Sequence, residues 1–144
     1  MDKRDIMIGS LVEYGDKKGC VDSIFRNDDK QYIVSLQISE NEYVKAPLDG
    51  VEPVLLTEKN VSLLGFQKPK NPRLKLCYIV APGYMMTVDA PDDDKSWLLF
   101  IDATGEDGVR RQFKGRIRSI NELQRAMYDC KIKGELSLSN IVNV

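Results

Sequence analysis

The chain has 144 residues, of which 42% are hydrophobic and 30% charged, and it carries a net charge of −1 with no histidine. This composition predicts a folded, soluble protein with enough chain for one good core or two small fused ones. The absence of histidine excludes Ser-His-Asp and Cys-His nucleophiles, imidazole general bases and every His-based metal site.

The first third of the chain predicts five short strands, at residues 11–14, 20–25, 31–38, 43–46 and 51–55. The third is the clearest, because apolar and polar residues alternate along it. Residues 15–19 and 27–30 have the composition of turns, and residues 47–50 predict one tight turn before the last strand. Five short strands in this arrangement predict a small SH3-like β-barrel.

The joint that follows the fifth strand carries several local signals that agree. Thr57 is placed to cap a helix, with Leu56 and Val61 as a hydrophobic staple on either side of it. Gly65 is expected to end this helix, and Phe66 is expected to fold back on Val61 as in a Schellman motif. The sequence therefore predicts a short, well-capped helix between two structural units.

The second unit begins with that helix, over residues 58–64, and continues as a mostly antiparallel sheet. Its strands are predicted at residues 74–81, 84–90, 96–103 and 109–118. Ser119 and Glu122 form a capping box, which predicts a second helix that Gly134 ends. Residues 135–144 are expected to form a short strand or a frayed tail.

The predicted fold class is therefore α+β. An N-terminal SH3-like small β-barrel is followed by a helix, a mostly antiparallel sheet and a C-terminal helix. Units 1–55 and 56–144 are expected to share one core, because Val61, Leu63 and Leu64 lie on more than one side of the first helix.

Three runs of the sequence also carry a resemblance. These runs are residues 8–14 (IGSLVEY), 51–66 (VEPVLLTEKNVSLLGF) and 117–128 (IRSINELQRAMY). They are similar to IGN-x-V-x-Y, IEP-x-x-LTEE-x-L-x-x-LGF and HxLQNLYF-like runs in small uncharacterised proteins of Bacteroidetes bacteria, their phages and integrated mobile elements. The resemblance implies an origin in such an element. It brings no active-site residue with it, and the histidine of the last run is absent here.

A basic strand is one candidate binding site. In the fourth strand of the second unit, alternation places four cations on one face: Arg110, Lys114, Arg116 and Arg118. Such a face can contact phosphates and release their counterions. The alternative is the solvated outer face of an antiparallel sheet, which is polar by default. Phe113 and Ile117 fall on the other face, so no aromatic residue that stacks on bases is expected among these cations.

Two other surfaces are candidates for contact with a protein partner. SH3 domains bind proline-rich ligands through aromatic grooves, and Tyr43, in an otherwise polar strand, is the aromatic residue of the barrel unit expected to be exposed. The second helix has an apolar face formed by Ile120, Leu123, Met127 and Tyr128. That face either binds a partner or packs on the sheet of its own chain, as amphipathic helices usually do.

No metal, thiol or cofactor chemistry is predicted. The three aspartates at residues 92–94 are the ligand type that Ca²⁺ prefers, but the run lacks the spacing of an EF-hand loop, so a hydrated turn is expected. Cys20 lies near Lys17 and Lys18, yet no base or oxyanion donor can be named beside it. Without an export signal, the three cysteines are expected to be reduced structural thiols of a cytoplasmic protein.

The sequence therefore predicts a non-catalytic interaction module, because no pair of titratable groups at catalytic spacing stands out. On the resemblance, this module is an accessory protein of a phage or mobile element with a protein partner and no membrane contact. The alternative is a nucleic-acid-binding protein that uses the basic strand face. Nucleic-acid binding is expected to be weak and sensitive to salt.

Overall fold

The structure, a computed structural model, describes residues 6–71, 76–90, 96–105, 108–132 and 136–142. These residues form an α+β protein with two antiparallel sheets, as the sequence predicts. The strands of the first sheet are β1 (Leu11–Tyr14), β2 (Lys17–Arg26), β3 (Tyr32–Ser39), β4 (Glu42–Pro47) and β5 (Glu52–Pro53). Their order across the sheet is β4-β3-β2-β1-β5.

The first hairpin is tighter than predicted. Tyr14 pairs with Lys17, so the loop is only Gly15 and Asp16 rather than residues 15–19. Gly15 has a φ of 60°, the left-handed conformation that two-residue hairpin loops require and that glycine adopts without strain. Because the loop is short, β2 pairs with β1 from Lys17, the first residue of β2, onwards.

Within residues 6–71, the first sheet does not close into a barrel by strand pairing. A 3-10 turn, Leu48–Gly50, connects β4 to β5, where the sequence predicts a tight turn. β5 pairs with β1, and no ladder joins it to β4. The closed SH3-like barrel is therefore not confirmed by the pairing of these strands.

The helix at the joint forms as the sequence predicts. Helix α1 (Glu58–Leu63) begins after Thr57, whose side-chain oxygen accepts a hydrogen bond from the Asn60 N–H at 3.1 Å. Gly65 ends it with a φ of 107°, and the Phe66 N–H donates to the Val61 carbonyl at 3.2 Å. This is the Schellman geometry, which satisfies the last carbonyls of a helix.

The second sheet is a four-stranded antiparallel meander. Its strands, in the order in which they pair, are β6 (Leu76–Ala81), β7 (Tyr84–Asp89), β8 (Trp97–Gly105) and β9 (Gly108–Ile117). Beyond β9 the chain also contacts the first unit, because the Leu56 N–H donates to the Arg118 carbonyl at 2.8 Å and the Ile120 N–H donates to the Val54 carbonyl at 2.9 Å. These backbone bonds tie the joint to the second unit.

Helix α2 (Ile120–Asp129) is capped by Ser119 as predicted but ends earlier than predicted. The Ser119 side chain accepts from the Glu122 N–H at 3.4 Å and donates to the Glu122 carboxylate at 3.0 Å. Lys131, with a φ of 56°, ends the helix, and Gly134 lies outside the described residues. A lysine in this conformation is uncommon, so the sequence offers no signal for it.

The last described segment is a short helix, α3 (Ser139–Val142), in the region where a strand or a frayed tail was expected. Its Ile141 is fully buried, and the Asn140 side chain donates to the Leu63 carbonyl at 3.0 Å. Packing against α1 therefore fixes this helix, whose four residues are too few to be stable alone. Among the described residues, no helix has the length and apolar character needed to cross a membrane.

Two buried clusters hold the described residues together. The smaller is the interior of the first sheet, formed by Ile6, Val12, Val21, Val34, Leu36, Ala46 and Val51. The larger lies between one face of the second sheet and the three helices. Leu11 of β1 belongs to the larger cluster and is completely buried, and Cys20 of β2 packs against it. The first sheet therefore contributes side chains to both clusters.

Candidate functional site

The face of the second sheet that points away from the larger cluster is the candidate site, and we call it the outer face. It consists of three rows of paired residues that cross all four strands. They are Leu76-Asp89-Leu98-Arg116, Tyr78-Thr87-Phe100-Phe113 and Val80-Met85-Asp102-Arg111. The buried apolar residues of α1, α2 and α3 all belong to the cluster on the opposite face.

The exposed residues of the outer face include two large apolar side chains beside the cations Arg111 and Arg116. The side chain of Phe113 is 57% exposed, and that of Val80 is 68% exposed. The Phe113 ring lies 5.2 Å from the ring of Phe100, which is the separation of a favourable aromatic pair. An exposed aromatic residue that pairs with a second aromatic ring is typical of a binding surface rather than of an ordinary solvent-facing sheet.

Arg111 lies over the Phe100 ring and is bridged to Asp102. Its guanidinium donates to both carboxylate oxygens of Asp102, at 2.8 and 3.2 Å, and lies 5.3 Å from the centre of the Phe100 ring. The hydrogen bond to Asp102, assisted by the charge of that carboxylate, raises the pKa of Arg111. The bidentate geometry orients the guanidinium and neutralises it locally. Arg111 therefore supports the Phe100 ring rather than offering a free charge.

A β-bulge in β9 separates the four cations that the sequence places on one face. Leu99 pairs with Gly115 and the next residue, Phe100, pairs with Phe113, so Lys114 is an extra residue in β9. Gly115 has a φ of 93°, a conformation that other residues rarely adopt. Because a bulge adds one residue, odd-numbered and even-numbered residues exchange faces of the sheet beyond it.

The expectation of a shared basic face is corrected by this bulge. Arg116 lies on the outer face opposite Leu98, whereas Arg110 pairs with Ala103 on the opposite face. Lys114 is the bulged residue, and Arg118 follows the end of β9. All four side chains are exposed.

The expectation that aromatic residues are absent from the basic face is corrected as well. Because of the bulge, Phe113 and Arg116 lie on the same face of the sheet, in adjacent rows. The signal that the sequence does contain is Gly115, since a glycine inside a strand pattern often marks a bulge. Assigning every second residue of the strand to one face, without a break at Gly115, misses the bulge.

The other sequence candidates lie elsewhere. Tyr43 is 52% exposed on β4, as expected, and lies opposite Gln37 in the first sheet. It is not singled out by this exposure, because Tyr32 of the same sheet is 53% exposed. Ile120, Leu123 and Met127 are buried, so the apolar face of α2 packs in its own chain, and Tyr128 alone of that set is exposed. The aspartates at residues 92–94 lie outside the described residues.

The thiols of Cys20 and Cys77 are not activated by their surroundings. Burial raises the pKa of the Cys20 thiol, and burial is also the largest of the effects that raise the pKa of Cys77. Raising a thiol's pKa lowers the fraction of thiolate, which is the reactive form. Within the described residues, no group of three or more acidic or cysteine side chains is placed to hold a metal ion.

A cleft of about 730 Å³ lies between the N-terminal segment, α2 and the segment that leads into α3. Met7, Ile8, Gln124, Met127 and Tyr128 are among its lining residues. Gln124 spans its base, accepting from the Leu11 N–H and donating to the Gly9 carbonyl, both at 2.8 Å. These two bonds give Gln124 a role in joining the units.

No family model, curated protein or solved structure matches this chain.

Proposed function

We propose that this protein is a non-catalytic interaction module that binds its partner on the outer face of the second sheet. The observation that carries this proposal is the exposed Phe113, whose ring pairs with that of Phe100, which itself lies under the guanidinium of the Asp102–Arg111 bridge. A rigid aromatic residue loses little conformational entropy when it is covered by a partner. Binding surfaces are enriched in aromatic residues and arginine for this reason.

The chemistry of the remaining side chains supports a binding role over a catalytic one. The chain has no histidine, and burial raises the pKa of Cys20 and Cys77. The carboxylate of Asp102, the buried acid of the outer face, is occupied by its bridge to Arg111. Groups that carry out acid–base chemistry must instead be free to exchange protons with a substrate.

Two further proposals concern the architecture of the first sheet and the origin of the protein. We propose that the first sheet is an SH3-like barrel, supported by its strand order and by the pairing of β5 with β1, which leaves β4 and β5 as the two edges that closure would join. From the resemblance of residues 8–14, 51–66 and 117–128, we propose a cytoplasmic accessory protein of a phage or mobile element.

The test is affinity capture from a lysate of a Bacteroidetes bacterium with two matched variants. Phe113→Ser with Val80→Ser removes two exposed residues of the outer face, and Tyr32→Ser with Tyr43→Ser removes two exposed residues of the first sheet. We expect the first variant to lose the captured component and the second to retain it. The reverse result would place the binding surface around Tyr43 and overturn the proposal.

A further inference from the structure

We propose that the outer face binds single-stranded nucleic acid, with bases stacked on Phe113 and phosphates contacted by the cations of β9 and the residue that follows it. This inference rests on the proposed binding role of the outer face and names its ligand. Base stacking on aromatic side chains combined with cationic backbone contacts is the general chemistry by which proteins hold single strands.

The charge of the strand is the first observation that supports this ligand. Residues 108–118 contain five cations and no acidic residue: Arg110, Arg111, Lys114, Arg116 and Arg118. Arg111 is neutralised by Asp102, and Arg110 lies on the opposite face. Lys114, Arg116 and Arg118 are therefore the cations to which we assign the phosphate contacts. The Arg116 guanidinium also donates to the Ser96 hydroxyl at 3.3 Å, and this neutral partner leaves its charge in place.

The position of the aromatic residue is the second observation. Phe113 is exposed, and Arg116 lies on the same face one row away. The centre of the Phe113 ring lies 5.2 Å from that of Phe100 in a tilted pair, and the Phe100 ring in turn lies under the Arg111 guanidinium. A base that covers the exposed part of Phe113 therefore lies one row from a cation of the same face. A duplex, whose bases are already stacked, cannot use the ring in this way.

Acidic groups set an upper limit on the affinity. Asp89 lies in the row of Arg116, two strands away, and residues 1–66 hold 12 Asp and Glu against 8 Lys and Arg. With three phosphate contacts, we expect dissociation constants of about 1–100 μM at physiological salt and a log–log salt slope of about −2.

The experiment is fluorescence anisotropy with three labelled probes of one mixed sequence, a 12-nucleotide DNA strand, the same sequence as RNA, and its DNA duplex. We expect the full chain to bind at least one single strand more tightly than the duplex. Phe113→Ala should weaken binding by about 5- to 150-fold, whereas Phe113→Trp should preserve it. Arg116→Gln should reduce the salt slope by about 0.7.

The control is the pair Tyr32 and Arg26 on the first sheet, where the guanidinium lies 5.6 Å from the centre of an exposed aromatic ring. Tyr32→Ala and Arg26→Gln remove the same chemical groups, and we expect both variants to bind like the unmodified chain. Equal binding of the duplex, or equal loss in the control variants, would overturn the inference. So would the absence of binding at about 100 μM protein, the weak end of the expected range.

The two proposals fail in different ways. If no nucleic acid binds and the captured component still depends on Phe113 after nuclease treatment, the ligand of the outer face is a protein. The inference is then wrong and the interaction module stands. If neither capture nor oligonucleotide binding depends on Phe113, both are wrong.

Discussion

The indole N–H of Trp97 donates a hydrogen bond to the backbone carbonyl of Leu56 at 3.0 Å, although the two residues are 41 positions apart. Both residues are buried, and the bond joins the first strand position of β8 to the segment that leads into α1. The joint between the two units is therefore fixed from within the second sheet, not only by its own helix cap.

We expect Trp97→Phe to lower the free energy of unfolding by about 1–3 kcal/mol, the usual effect of removing one partner of a buried hydrogen bond. Chemical denaturation followed by circular dichroism measures this change, because Trp97 is the only tryptophan and its fluorescence is lost in the variant. Leu55→Ala is the control, since that neighbouring side chain is 56% exposed and its loss should change stability by less than about 0.5 kcal/mol. A similar effect of both substitutions would contradict the role of the hydrogen bond.

The Gly115 bulge gives a second prediction. Gly115→Ala should destabilise the protein by about 1–2 kcal/mol, because a Cβ atom is strained at a φ of 93° even though no atom lies within 4 Å of it. Gly105→Ala, in the same sheet with equally open surroundings and no positive φ, is the matched control and should have a smaller effect. Thermal unfolding compares the two. If Gly105→Ala costs as much, strain at the bulge is not the cause.

The sequence predicts the elements whose causes are local and misses those whose causes are not. Thr57 and Gly65 bound α1 through atoms within a few residues, so their identities are sufficient. Lys131 ends α2 in a left-handed conformation that its side chain does not favour, so a search for glycine places the end at Gly134 instead. The composition of a short segment does not contain the tertiary packing that selects such a residue.

The candidate site shows the same limit. Phe113 and Arg116 are brought to one face by a bulge whose position depends on how β9 pairs with β8. Pairing between strands is a non-local property, and a shift of one residue exchanges the two faces. The basic composition of the strand was predictable, whereas the arrangement of its side chains was not.

The third prediction concerns the two units. A fragment of residues 1–55 should not fold stably, because Leu11 is completely buried in the larger cluster and its N–H is held by Gln124 in α2. Exposing one leucine alone costs about 1.5–3 kcal/mol. Circular dichroism of the fragment and limited proteolysis of the full chain measure this, and the region 50–66 should resist cleavage. A cooperative thermal transition of the isolated fragment would show that the units are independent domains.

The thiols give a prediction that depends on pH. Because burial raises the pKa of Cys20 and Cys77 above that of a thiol in water, the folded state holds these protons more tightly than the unfolded state. This contribution to stability is fully present below about pH 9 and is lost as the pH rises through the higher pKa values of the folded state. Cys20→Ala with Cys77→Ala should therefore lose less stability between pH 8 and about pH 10.5 than the unmodified chain does.

Alkylation at neutral pH checks the same point independently. Cys20, which is half-buried, should react before Cys77, which is only 6% exposed, and neither should react as fast as a free thiol. Cys77→Ser should cost about 1–3 kcal/mol, since a hydroxyl is buried in place of the thiol. Fast labelling of Cys20 would contradict the proposal that the protein has no thiol chemistry.

Asn121 provides the last prediction, because it is a buried polar side chain for which the described structure shows no hydrogen bond. It is completely buried near the start of α2, and neither its amide nitrogen nor its amide oxygen has a partner. A buried amide without partners destabilises the folded state by about 1–3 kcal/mol relative to an apolar group of similar shape. Asn121→Leu should therefore raise the melting temperature, by about 2–4 °C for each kcal/mol recovered. Asn60→Leu is the matched control and should lower it, since the Asn60 side chain donates to the Leu55 carbonyl at 2.8 Å. If Asn121→Leu were the more destabilising of the two, the amide would have to make a stabilising interaction that leucine cannot replace.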